Sequence, residues 1–83
     1  MTFRLVYTER AARDVRALDA RSRSRVGRAI ERLQEDPVGR AKRLTQTALG
    51  TFRLRVGDYR VVFDVCGSDV VILRVGHRSS IYR

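Results

Sequence analysis

The chain holds one cysteine, one lysine and one histidine among its 83 residues, and each scarcity removes a class of chemistry. With Cys66 alone in the turn-like stretch CGSD, no internal disulfide can form. Its thiol has no second thiol and no recognisable base beside it, so it reads as incidental rather than nucleophilic. A reducing cytoplasm is the compartment this suits. Long hydrophobic runs are missing as well. No segment reaches membrane-spanning length, and MTFRLVYTER lacks the apolar stretch of a signal peptide, so the reading is a soluble protein that is not exported by that route. Length sets a further bound: residues 1–83 make a single domain with one modest core and no room for a deep cofactor cleft. No repeat, low-complexity tract or linker interrupts it.

Acid is scarce too. Nine acidic residues stand against 18 basic ones, for a formal charge of +9, and Lys42 is the only basic residue besides histidine that is not arginine. Arginine forks match phosphate and carboxylate in a bidentate manner, so the balance points to a polyanionic partner such as RNA, DNA or an acidic protein segment.

The apolar pattern supplies the elements. Thr2 to Thr8 alternates, with Phe3, Leu5 and Tyr7 on one side, as a half-buried strand does. Thr8 is a suitable N-cap with Glu9 in the first turn, and Ala11, Ala12, Val15 and Leu18 then recur at helical spacing. Asp19 or Ser22 can cap a second helix bearing Val26, Ala29, Ile30 and Leu33, which Pro37 ends. Two amphipathic helices so closely joined form a helical hairpin that needs a sheet beneath it. After a polar connection, Thr51 to Val56 and Tyr59 to Val65 form a β-hairpin whose two-residue loop begins at Gly57, read as a type II′ turn. Val70 to Val75, nearly continuous in apolar residues, reads as a central strand. The expected order is β-α-α-β-β-β.

The hairpin carries the candidate site. A loop at Gly57 and Asp58 sets Arg55 opposite Arg60 and Arg53 opposite Val62, so three arginines project from one face while Phe52, Leu54, Tyr59, Val61 and Phe63 project from the other. Like charges opposed in a sheet cost about 0.2–1 kcal/mol. Two readings stay open: a solvated outer face whose arginine stems cover apolar surface, or a cradle for phosphate oxygens. His77, Arg78 and Tyr82 follow the last strand. Histidine is the side-chain type suited to general base work near neutral pH, and a tyrosine there can stack on a base or simply pack. The side on which Arg74 lies is not set by the pattern. The helical arginines from Arg10 to Arg32 read individually as solvated and collectively as steering charge.

FRLRVGDYRVVFDV followed by VVILRVGHRSSIYR, behind a strand and a helical hairpin, resembles the RelE/ParE superfamily of bacterial type II toxin-antitoxin toxins over nearly the whole chain. The resemblance implies an α+β fold with the helical hairpin on a small, antiparallel-dominated sheet. It also implies a cognate antitoxin, through which the complex binds operator DNA. The HR-x-x-x-Y ending looks like the RelE branch, which implies a ribosome-dependent, metal-independent mRNA endonuclease acting in the A site, with no cofactor and no membrane. The ParE branch, a DNA gyrase inhibitor, and a catalytically inactive co-repressor are the alternatives. Carried over, Arg53 and Arg55 stand where RelE enzymes often have lysines, and Arg60, Arg78 and Tyr82 match the family's positions. With His77 as a candidate base, these six form the expected site. Arginine in place of lysine matters because a guanidinium does not release a proton at neutral pH.

Overall fold

The computed structural model describes residues 2–43 and 52–81. Seven elements follow in order: β1 (Arg4–Tyr7), α1 (Glu9–Arg16), α2 (Ala20–Arg32), β2 (Lys42–Arg43), β3 (Phe52–Val56), β4 (Tyr59–Cys66) and β5 (Asp69–His77). The expected order is present with one addition. β2 is two residues long, too short to show any periodicity, and lies within what reads in sequence as a polar connection. Thr51, read as the first residue of the hairpin, and Tyr82 lie outside the described residues.

Capping chemistry sets the helices. Thr8, in extended geometry, accepts the Ala11 amide through its hydroxyl at 3.1 Å, and Asp19 accepts the Ser22 amide at 3.3 Å, each satisfying a first-turn donor. At the other end of α1, the Arg23 guanidinium donates to the carbonyls of Val15, Arg16 and Leu18, the last at 2.8 Å. One side chain from α2 thereby satisfies the exposed carbonyls of α1 and fixes the bend between the two helices.

The sheet runs β1-β5-β4-β3-β2, with β1 parallel to β5 and every other pair antiparallel. The helices cover one face, α1 over β5 and α2 over β3. Between the layers Ala11, Val26, Ile30, Leu33, Val61, Phe63, Val70, Ile72 and Val75 are buried, with Phe52 stacked on Phe63 at 5.5 Å between ring centroids. Each fully buried large apolar side chain contributes about 1.5–3 kcal/mol. Leu18, expected on the helical stripe, falls just beyond α1 yet still packs against this core.

A bulge breaks the alternation of β5. Val62 pairs with Arg74 but Phe63 pairs with Ile72, which leaves Leu73 as the extra residue. Ile72 and Val75 therefore both reach the core although three positions apart. β1 has ended at this level, and Asp14 of α1 takes its place: its Oδ2 accepts the Val75 amide at 3.0 Å and Arg74 Nε at 2.9 Å. That answers where Arg74 goes. Its charge is held by Asp14.

Candidate functional site

The register of the β3–β4 hairpin puts Arg55 opposite Arg60, Arg53 opposite Val62 and Val56 opposite Tyr59, as the loop position requires. Gly57 has φ of 59°, the left-handed region that glycine adopts without strain. A Cβ there would also meet Arg25 Nη2 at 3.1 Å, so the tip lies directly under a guanidinium from α2. Since Tyr59, Val61 and Phe63 belong to the helix side, Arg53, Arg55 and Arg60 share the opposite face.

These three arginines are not equivalent. Arg60 is only 8% exposed, and its Nη1 donates to the carbonyls of Gly57 at 3.0 Å and Tyr59 at 3.1 Å. It is bent back on its own hairpin and stiffens the tip. Arg60 pairs with Gly76, and the side chain of Ile81, itself buried, lies over that glycine. Arg55 is exposed and Arg53 half-buried. The repulsion expected of the Arg55–Arg60 pair is thus reduced by turning one member away into carbonyl dipoles.

Position 42 extends the face. Lys42 pairs with Arg53 across β2 and β3, which sets the chain's one lysine beside the arginines. A shallow cleft of about 340 Å³ is lined there by Gly39, Arg40, Ala41, Lys42, Arg53 and Arg55. A second of about 450 Å³ adjoins it, sharing Arg40 and Arg55 and adding Arg25 and Arg32 from α2 over an apolar floor of Ala29, Leu54 and Val56. Neither cleft has an acidic lining residue. Among the described residues no carboxylate forms an ion pair with Lys42, Arg53 or Arg55.

The C-terminal candidates divide. His77 pairs with Tyr59 and meets its ring edge-on at 5.7 Å, so it sits at the end of the helix-side face, across the sheet from the arginines. Its Nδ1 accepts the Ser79 amide at 3.2 Å and lies 2.8 Å from the Ser79 hydroxyl, which leaves the ring proton of the neutral form on Nε2. Arg78 donates its amide to Asp58 O at 2.8 Å, and its guanidinium lies 3.9 Å from the Asp58 carboxylate, both side chains well exposed. It therefore borders the hairpin tip. Tyr82 lies outside the described residues.

This arrangement can bind anions in a row and stabilise developing negative charge, since Arg40, Lys42, Arg53 and Arg55 line one open cleft. Among the described residues there is no group of three His, Cys, Asp or Glu side chains placed to hold a metal ion, and no helix is long and apolar enough to cross a membrane. Sequence reasoning missed Lys42 and Arg40. The signal for Lys42 was its uniqueness; its place beside Arg53 needed the pairing of a two-residue strand.

Comparison with known proteins agrees with this architecture. Residues 5–82 match the model of a family described as the ParE toxin of the type II toxin-antitoxin system parDE. Toxin RelG of Mycobacterium tuberculosis is 36% identical over 86 aligned positions, covering 100% of this chain and 99% of that protein. The RelBE2 toxin-antitoxin complex of the same organism contains a chain that superposes with a TM-score of 0.84 at 33% identity, covering 94% of this chain and 100% of that one. In the archaeal RelE–RelB complex of Pyrococcus horikoshii the values are 0.78 and 25%, with coverage of 96% and 99%. With its helical hairpin on a mixed five-stranded sheet and near-complete coverage by these relatives, the chain belongs to the RelE/ParE superfamily of type II toxin-antitoxin toxins.

Proposed function

We propose that this toxin is a ribosome-dependent mRNA endonuclease of the RelE branch. The observation that supports this reading is the outer face of β2–β3–β4, where Lys42, Arg53 and Arg55 stand together with no described carboxylate paired to them. Such a face suits a phosphodiester backbone, and fixed cations aimed at a phosphate stabilise the charge that grows on it during displacement. In the proposed reaction a ribose 2′-hydroxyl attacks the adjacent phosphate, giving a 2′,3′-cyclic phosphate and a 5′-hydroxyl. Arg53 and Arg55 bind the phosphate oxygens, Arg60 holds the tip beneath them, Arg78 stabilises charge from the rim, and Tyr82 stacks on a base. His77 is set aside as the base because its ring faces the helix side and its Nδ1 is taken by Ser79.

An open, shallow face positions substrate poorly by itself. The ribosome then supplies alignment, which can be worth about 7–11 kcal/mol of the barrier. Free RNA is accordingly a poor substrate in this reading. The antitoxin partner is proposed from the relatives named as toxin-antitoxin complexes and from the basic face, which an acidic segment would cover.

A ParE-like gyrase inhibitor is the second reading, favoured by the family model that residues 5–82 match. Arg55→Ala separates the two better than Arg60→Ala, since Arg55 is exposed whereas Arg60 supports the hairpin tip. Wild type and Arg55→Ala are induced in cells, RNA 5′ ends are mapped, and plasmid supercoiling is measured. The nuclease reading expects new ends at A-site codons that fall with Arg55→Ala, and unchanged supercoiling. Loss of supercoiling without new ends would overturn it.

A further inference from the structure

We infer that Lys42 is the proton-transfer residue of the outer face. This rests on the nuclease reading above and supplies what that reading lacks. A guanidinium does not release its proton at neutral pH, so Arg53, Arg55 and Arg60 cannot take one from a 2′-hydroxyl. His77 faces the other side of the sheet. Lys42 is the one lysine in the chain, and two separate observations place it on the phosphate-binding face: it pairs directly with Arg53, and it lines the same cleft as Arg53 and Arg55. Cross-strand partners carry their Cβ atoms about 4.5–5.5 Å apart on one face, so a phosphate gripped by Arg53 is within reach of the lysine amine.

The charged side chains lining the cleft with Lys42 are Arg40 on its own segment and Arg53 and Arg55 on β3, and at its rim the Asp36 carboxylate accepts the Gly39 amide. No described carboxylate is in ion-pair contact with Lys42. In the step assigned to it, the neutral amine takes the proton of the 2′-hydroxyl as the 2′ oxygen bonds to phosphorus. The bond from phosphorus to the 5′ oxygen breaks, its electron pair goes to that oxygen, and water supplies the proton. The hydroxide so formed is neutralised by the proton that Lys42 then releases, which restores the amine.

The test compares purified wild type, Lys42→Arg and Lys42→Gln on mRNA-programmed ribosomes, reading single-turnover cleavage across pH and, separately, co-sedimentation with the same ribosomes. Lys42→Arg keeps the charge but not the releasable proton. The expected result is a loss of about 10²–10⁴-fold in cleavage for both variants, with binding of Lys42→Arg like wild type. The pH profile of each variant should also differ from that of wild type. Lys42→Arg cleaving at the wild-type rate with the wild-type pH profile would overturn the assignment while leaving the nuclease reading intact. So would a loss of cleavage matched by an equal loss of binding, because the lysine would then only hold RNA. Absence of cleavage by wild type itself would overturn the nuclease reading and the assignment together.

Discussion

Among single residues, the contrast between Arg55 and Arg60 decides what mutations will mean. Arg60 is buried and donates twice to carbonyls of its own tip, so Arg60→Ala removes charged hydrogen bonds worth about 1.5–3 kcal/mol and lowers stability as well as any activity. Arg55→Ala should leave stability within about 0.5 kcal/mol, as exposed substitutions usually do. Urea unfolding of the two variants checks both values. Asp14 is another residue whose removal has a definite cost. Asp14→Ala leaves the Val75 amide and the Arg74 guanidinium without their shared acceptor, an expected loss of about 2–3 kcal/mol by the same measurement.

For the elements, the caps and the bulge matter most. Thr8 both caps α1 and donates its hydroxyl toward the carbonyls of Ile72 and Leu73, so it joins the helix start to β5. Thr8→Ala should cost about 1 kcal/mol or somewhat more. Asp19 at the start of α2 is held below the usual aspartate range by hydrogen bonds from the Ser22 side chain and then from its amide. A depressed folded value stabilises the fold fully above the unfolded pKa, and that contribution is lost as pH falls through the folded one. Stability followed from about pH 5 down to about pH 2 should therefore decline less in Asp19→Asn, which keeps a capping oxygen but cannot be protonated. The same elements show what could be read in advance. Thr8, Asp19 and the Gly57 turn act within a few residues of themselves, so capping and the Arg55–Arg60 register were legible. The Leu73 bulge depends on where β1 stops and on Asp14 filling the gap, which are tertiary facts. For that reason the side taken by Arg74 and the separation of His77 from the arginines could not be read from alternation.

At the level of the molecule, part of the basic excess behind the +9 charge forms one continuous surface. Arg25 and Arg32 on α2 face the β3 edge across a cleft that also holds Arg40 and Arg55, so basic surface continues from the helical layer to the outer face. On the proposed nuclease reading, association with ribosomes or RNA should weaken steeply with salt, and Arg55→Gln should lower the log–log slope by about one unit if it removes one phosphate contact. Filter binding over a salt series measures this. The polyanionic preference was visible in composition. The continuity of the surface was not, because it joins residues from α2, the β2 segment and β3.

The parallel pairing of β1 with β5 brings Arg4 beside Asp69, with a two-point ion pair between their side chains. In the sheet, β5 lies between β1 and β4, so β1 has no strand neighbour until β5, more than 60 residues further along, has been made. Contacts spanning so much sequence slow folding and delay closure of the core until β5 is available. A chain stopped at Ser68 should lack the cooperative thermal transition of the whole protein in circular dichroism. This order of assembly withholds the finished toxin fold from each nascent chain until β5 has been made.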